Sequence, residues 1–291
     1  MLCTTVQNLK LKNLKTKSYF SFEVNARKYL LGIMAFLLVS SFQPSWNLLN
    51  QISIQAKDIE TDRVGNIYVV SITNQLYKYD ANGKLLSTLN YAYQGNITHI
   101  DASNPLELYL FYREMNSVIF LDNNLAYRGK LNLSDAGITQ ASTIARSYNN
   151  TLWVFDQGDL QLKNLNKDGG LIQASGNVLQ FAKSKNLNPS LIIDNGSRVY
   201  VNDSTEGILV FDVFANYIKT IPIKLKEEFK VMDDELFYRY QNNLISYRLS
   251  TLQRDTIKAP DSSFLAFSLE KERLYLLNAS GISIYSYKPH K

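Results

Sequence analysis

Cysteine is almost absent from this 291-residue chain, since the single one, Cys3, lies close to the N-terminus. The rest of the chain therefore has no disulfide, no thiolate metal site and no nucleophilic thiol. Histidine is nearly as scarce, and His99 and His290 are far apart in the sequence. Two distant imidazoles without a cysteine do not make a usual zinc site. The composition predicts no metal and no other cofactor.

A net positive charge is also missing from most of the chain. The total is +5, but residues 1–41 contain six basic side chains and one acidic one. Subtracting these from the totals of 31 and 26 leaves 25 of each sign, so the remainder is formally neutral. This balance predicts no nucleic-acid partner. The sequence also lacks a phosphate-binding glycine loop, a calcium loop and a nucleophile elbow.

No apolar run reaches the roughly 20 residues that a membrane-spanning helix needs. The longest, "YLLGIMAFLLV" at residues 29–39, follows Arg27 and Lys28 and precedes "SSFQPS". This order predicts a secretory signal peptide over residues 1–41, with an unusually long basic segment, and a linker over residues 42–50. An uncleaved signal anchor is the alternative, and it would be the only membrane contact. An exported protein without disulfides is typical of the bacterial envelope. We therefore expect this protein in the periplasm or at the outer membrane of a bacterium.

Residues 51–291 contain a six-fold repeat. Six segments place an aliphatic residue directly before an aromatic one, at steps of 37 to 47 residues. The aromatic residues are Tyr68, Tyr109, Trp153, Tyr200, Phe237 and Tyr275. A second apolar segment follows each of them, and its first aliphatic members are Leu76, Val118, Leu160, Ile208, Leu244 and Ile282. The alternation of apolar and polar residues predicts half-buried β-strands.

Each repeat has material for two further strands. A shorter apolar stretch precedes the aromatic residue by nine positions in four repeats, at Ile59, Ile100, Ile144 and Leu191. A fourth strand candidate follows the central pair after turns such as "DANGK" at residues 80–84. Asn-Gly and Asp-Gly supply the positive φ that tight turns require. Four strands in about forty residues are typical of one β-propeller blade.

The sequence therefore predicts an all-β fold, a six-bladed β-propeller over residues 51–291. The last repeat lacks a fourth strand, whereas an unassigned strand, "QISIQ" at residues 51–55, precedes the first. We expect this N-terminal strand to complete the sixth blade and close the ring. Seven blades or an irregular β-solenoid are the alternatives. We interpret the aromatic column as core between adjacent sheets.

The segment "DRVGNIYVVSITNQLYKYDANGKLL" at residues 62–86 resembles the repeats of six-bladed propellers of the NHL and YncE-like type. The similarity is close in the first repeat and partial in the fourth, at residues 196–219. In the third, fifth and sixth repeats only the hydrophobic pattern matches. The resemblance implies binding or scaffolding for most members, with a minority of lyases, lactonases and oxidoreductases.

Three polar residues share one register in the predicted innermost strands: Asp58, His99 and Thr143. We expect them at the rim of the central channel, where they form a candidate binding site. They do not make a recognisable catalytic set. Asp101 lies two residues after His99 and would share its face of the strand, which favours a structural hydrogen bond.

Three functions are consistent with these features. The first is an exported, non-enzymatic propeller that binds another envelope protein or a surface polymer. Its longest inter-blade segment, residues 176–190, is a candidate contact element. The second is an enzyme at the channel mouth, a hydrolase or lyase acting on a small carbohydrate or lactone. The third is a structural subunit of a larger envelope assembly.

Overall fold

The computed structural model describes residues 46–89, 95–270 and 272–286. In these ranges the chain forms 24 β-strands arranged in six four-stranded antiparallel sheets. The prediction of an all-β, six-bladed propeller is therefore confirmed. The predicted signal peptide lies outside the described residues and stays a prediction.

Five blades each consist of four consecutive strands, ordered from the channel outwards, and the first strand, β1 (Asn47–Ile52), precedes them. Blade 1 contains β2 (Ala56–Thr61), β3 (Ile67–Ser71), β4 (Leu76–Tyr79) and β5 (Leu85–Leu89). Blade 2 contains β6 (His99–Asn104), β7 (Glu107–Tyr112), β8 (Ser117–Asp122) and β9 (Tyr127–Asn132). Blade 3 contains β10 (Ala141–Arg146), β11 (Leu152–Asp156), β12 (Gln161–Leu165) and β13 (Leu171–Ala174).

The second half of the ring repeats this arrangement. Blade 4 contains β14 (Leu191–Asp194), β15 (Val199–Asp203), β16 (Gly207–Phe211) and β17 (Tyr217–Ile221). Blade 5 contains β18 (Phe229–Met232), β19 (Glu235–Tyr240), β20 (Asn243–Arg248) and β21 (Arg254–Lys258). Blade 6 contains β22 (Ala266–Glu270), β23 (Arg273–Asn278) and β24 (Gly281–Ser286), with β1 as its outer strand.

Strand β1 lies antiparallel to β24, with Ile52 opposite Ile282. We predicted this strand at residues 51–55, but it begins at Asn47 and therefore includes part of the predicted linker, residues 42–50. The difference arises because five of its six residues are exposed. Its position is set by backbone pairing with β24, and such pairing leaves no apolar alternation in the sequence.

The aromatic column forms the core, as predicted. Each of the six aromatic residues lies on the second strand of its blade and is at most 4% exposed. The aromatic residue of each blade packs against the next blade. Tyr68, for example, shares a buried cluster with Ile100 and Leu110 of blade 2. The Trp153 indole also donates a hydrogen bond to Asp194 of blade 4, with Nε1 2.9 Å from Oδ2. Aromatic side chains combine large apolar burial with this kind of polar contact.

The turns before the outer strands of blades 1 to 4 share one hydrogen-bond pattern. In each, a side-chain oxygen accepts from the backbone N–H groups two and four residues further on, at 2.8–2.9 Å. The accepting residues are Asp80, Asp122, Asn166 and Asp212. The position with positive φ is Gly83 or Gly169 in two blades, but Leu125 or Ala215 in the others. Both of these side chains are buried, which offsets the conformational cost.

Two register predictions are wrong by one or two residues. Leu160 lies in a turn with a φ of 54°, and β12 begins at the next residue, so Leu162 takes the buried position opposite Phe155. In blade 4 the residue equivalent to Ile59 is Ile192 rather than Leu191. The hairpin between β14 and β15 is one residue shorter than the corresponding hairpin of blade 1.

Candidate functional site

The innermost strands of the six blades surround a central cavity of about 410 Å³, which we call the channel. Residues from every blade line it, including Glu60, His99, Glu228, Lys230 and Glu270. A channel of this kind is the natural place for a site in a propeller, because loops and strand ends from all blades converge there.

The predicted site residues occupy equivalent positions. Asp58, His99 and Thr143 pair with residues that each lie two positions after the aromatic residue of their blade. Of the three, His99 lines the channel. Asp58 is half-buried and accepts a hydrogen bond from the N–H of Ile59. Thr143 is 1% exposed, and its hydroxyl has no partner within the described ranges.

His99 contacts Glu228, which lies across the ring in blade 5 and directly precedes β18. His99 Nδ1 is 3.7 Å from Glu228 Oε1. Burial disfavours the imidazolium, but the nearby carboxylate of Glu228 outweighs it, so the pKa of His99 is raised. Burial likewise opposes ionisation of Glu228, yet His99 holds the pKa of this carboxyl below its usual value. The two residues therefore favour an imidazolium–carboxylate pair.

A second ion pair joins Lys230 of blade 5 to Glu60 of blade 1. Lys230 Nζ donates to Glu60 Oε1, and the two side chains are only 16% and 12% exposed. Burial raises the pKa of Glu60, and Lys230 offsets only part of this effect. Burial opposes the charge on Lys230, but Glu60 and Glu228 outweigh it and raise the pKa of this ammonium. This pair and the His99–Glu228 pair span the channel.

The two ion pairs belong to a cluster of ionisable side chains in which carboxyl groups outnumber bases. Burial and the nearby charge of Glu228 raise the pKa of Asp58 well above its usual range. Burial also raises the pKa of Glu270 to about 7. With Glu60 and Glu228 these make four carboxyls close to the two bases His99 and Lys230, and the raised pKa values favour protonation of part of the surplus. Such a cluster can hold its own protons or exchange them with a bound molecule.

Sequence reasoning missed four members of this cluster, Glu60, Glu228, Lys230 and Glu270. The register could have found three of them: Glu228 continues the register of His99, while Glu60 and Lys230 lie opposite the aromatic residues of their blades. In the described structure His99 and Asp101, which share a face of β6, are not hydrogen-bonded to each other. Asp101 Oδ2 instead accepts from the N–H of Arg146 at 2.5 Å.

The described residues contain no group of three or more His, Cys, Asp or Glu side chains placed to hold a metal ion. Within the described ranges there is also no helix with the length and apolar character to cross a membrane.

No protein-family model matches the chain, and no curated protein sequence does so either. Solved structures are similar in fold. The Neurospora crassa Pan2 WD40 domain has a TM-score of 0.57 at 8% identity, covering 86% of this chain and 98% of that one. YCF48 bound to D1 peptide has a TM-score of 0.55 at 8% identity, covering 86% and 99%.

Virginiamycin B lyase from Staphylococcus aureus is similar to the same degree, with a TM-score of 0.55 at 11% identity. The match covers 85% of this chain and 100% of the lyase. Identities this low establish the fold alone. The chain is thus a six-bladed β-propeller, and its function must be argued from its own residues.

Proposed function

We propose that the protein is an exported, non-enzymatic β-propeller that binds or scaffolds another component of a bacterial cell envelope. The observation that carries this proposal is the pairing inside the channel. His99 and Lys230 are each engaged by a carboxylate of another blade. These two bases are thus paired within the ring itself, which supports binding at the loops and blade edges.

Two further observations support a binding role. One of the structures similar in fold, YCF48, was solved with a peptide bound. The repeat at residues 62–86 resembles those of the NHL and YncE-like propellers, and most members of that type bind or scaffold. Export rests on the leader at residues 1–41, with its basic segment, short apolar run and small residues.

We also infer that β1 closes the ring. Blade 6 obtains three strands from the end of the described chain and one from its beginning, so pairing of β1 with β24 ties the two ends together. Without β1, the outer edge of β24 would be unpaired, and an unpaired edge is open to non-specific association.

The proposal is tested by affinity capture of the tagged, full-length protein from mildly solubilised envelopes, with N-terminal sequencing of the bait. We expect a stoichiometric protein or polymer partner and a mature N-terminus near Phe42. Capture of the bait alone, under conditions in which it remains folded by circular dichroism, would contradict the binding role. An intact N-terminus would favour the signal anchor instead of cleavage.

An enzyme at the channel is the second candidate, a hydrolase or lyase acting on a small carbohydrate or lactone. The specific observation in its favour is the His99–Glu228 pair near Glu270, whose pKa of about 7 suits proton transfer. Virginiamycin B lyase, similar in fold, is known in a catalytically inactive histidine-to-alanine variant. A screen of lactones and glycosides would test this candidate. Turnover that is unchanged in His99→Ala would refute the role of His99.

A further inference from the structure

The 176–190 segment, which connects blades 3 and 4, is firmly attached to the propeller. It contains one turn of 3₁₀ helix, Val178–Gln180, in which Val178 is 0% exposed and packs in the core between the two blades. Asn177 begins this turn by accepting a hydrogen bond from the N–H of Leu179 at 2.9 Å. The N–H of Asn188 donates to Asp203 of blade 4 at 2.7 Å. The segment is therefore a preformed surface.

Phe181 of this segment stacks on Tyr217 of β17, with ring centroids 4.5 Å apart and planes 2° from parallel. The stacked pair borders a groove of about 660 Å³ on the outer part of blade 4. The remaining walls are polar and come from the segment, from the turn between β15 and β16, and from the end of β17. They include Lys183, Thr205 and Lys224. Both rings are half-buried, so part of each remains available to a ligand.

Two lysines, Lys183 and Lys224, line this groove, and Lys185 and Lys226 lie two residues further along the chain from them. Lys183, Lys185, Lys224 and Lys226 are all exposed, and none forms an ion pair within 4.0 Å in the described part of the chain.

Two acids lie nearby, and one of them, Glu206, lines the groove itself and keeps its negative charge. Glu206 Oε2 accepts hydrogen bonds from the N–H groups of Lys183 and Ser184, at 3.0 and 2.8 Å. Glu227 pairs with Arg239 at 3.5 Å. Because Glu227 is paired with Arg239, Glu206 is the acid set against the four lysines, and a local excess of positive charge remains on a domain that is neutral as a whole.

We propose that this groove binds an acidic peptide segment of the partner, with carboxylates near Lys183 and Lys224 and an apolar side chain against Phe181 and Tyr217. The inference rests on the proposed binding function. Its basis is charge complementarity together with an aromatic wall. A nucleic acid would need a longer run of cations than one blade offers. A lipid surface would need a broad apolar face rather than a narrow groove.

The test is a fluorescence-anisotropy titration of fluorescein-labelled deca-glutamate with the full-length protein at low ionic strength. We expect saturable binding that weakens as salt is added. Lys183→Glu combined with Lys224→Glu is expected to lower the affinity at least tenfold. Lys84→Glu combined with Lys258→Glu makes the same change in net charge at two exposed lysines elsewhere, and should change the affinity less than twofold.

Absence of saturable binding, or an equal loss in both double variants, would overturn the proposal. So would equally tight, Lys183- and Lys224-dependent binding of a twelve-nucleotide single-stranded DNA or of phosphatidylglycerol vesicles, since the groove would then be a general anion site. Affinity capture from solubilised envelopes distinguishes failure of the groove proposal from failure of the proposed binding function. If the Lys183→Glu, Lys224→Glu variant captures the wild-type partner in full, only the groove is excluded; if the wild type captures none, the binding function fails.

Discussion

His99 Nδ1 lies 3.7 Å from Glu228 Oε1, and the two residues belong to blades on opposite sides of the channel. With Lys230 and Glu60 they link three blades that are not all neighbours in the ring. Contacts of this kind act against opening of the ring, because separating the blades would leave partly buried charges unpaired. The channel polar groups thus contribute to the fold on which any binding surface depends.

The ion pair between Lys230 and Glu60 should contribute to stability. Lys230→Met removes the ammonium and leaves the carboxylate of Glu60 without its ion-pair partner. We expect the free energy of unfolding, measured by urea denaturation, to fall by about 2–4 kcal/mol. Combining Lys230→Met with Glu60→Gln should restore part of the loss, because the unpaired charge is gone. Single and double variants equal to wild type would show that the pair is not formed.

Stability should decrease as the pH rises from 6 to 8. The pKa of Glu270, about 7, lies above that of the unfolded chain, so its contribution is present at low pH and is lost as the pH rises through 7. The raised pKa of His99 acts in the same direction, with a contribution complete below its unfolded value of about 6.5. Each retained proton adds a slope of at most about 1.4 kcal/mol per pH unit.

Urea denaturation at several pH values tests this expectation. Glu270→Gln cannot titrate and should flatten the dependence between pH 6 and 8. A wild type whose stability rises over this range, or a variant with an unchanged slope, would be inconsistent with a raised pKa of the half-buried Glu270.

At residue 166, in the turn before β13, an amide and a carboxylate should serve equally well as the side-chain hydrogen-bond acceptor. Asn166→Ala removes the acceptor for the N–H groups of Asp168 and Gly170. We expect a loss of about 1 kcal/mol in the free energy of unfolding. Asn166→Asp should stay within about 0.5 kcal/mol of wild type, because an aspartate performs this role in three other blades. Asn149→Ala, at an exposed asparagine of another turn, is the control; a loss there as large as at Asn166 would remove the specific explanation.

A substitution at Gly281 tests the pairing of β1 with β24. A Cβ at this position would lie 2.0 Å from the backbone oxygen of Ile52, and the φ of Gly281 is +141°. Gly281→Ala should therefore destabilise the protein by about 2 kcal/mol or more and speed amide hydrogen exchange in β1. Gly129→Ala is the matched control, since its Cβ would meet Phe120 at an ordinary 3.7 Å. Unchanged exchange in β1 of Gly281→Ala would contradict ring closure by this strand.

The sequence alone determined the repeated part of the protein. Tyr68, Tyr109 and the other aromatic residues recur at blade spacing because every blade must present the same apolar row to its neighbour. The turn acceptors, such as Asp80 and Asn166, follow equally local rules, since their hydrogen bonds stay within five residues. These features could be predicted because each depends on a short stretch of chain.

Tertiary structure alone decided which distant residues meet. His99 contacts Glu228 instead of Asp101, and Lys230 contacts Glu60, because the ring brings separate blades together across the channel. The same is true of Phe181 and Tyr217, which stack only once the 176–190 segment has folded over blade 4. Periodicity specifies which face of a strand is buried, whereas a contact across the ring depends on the number, tilt and order of all six blades.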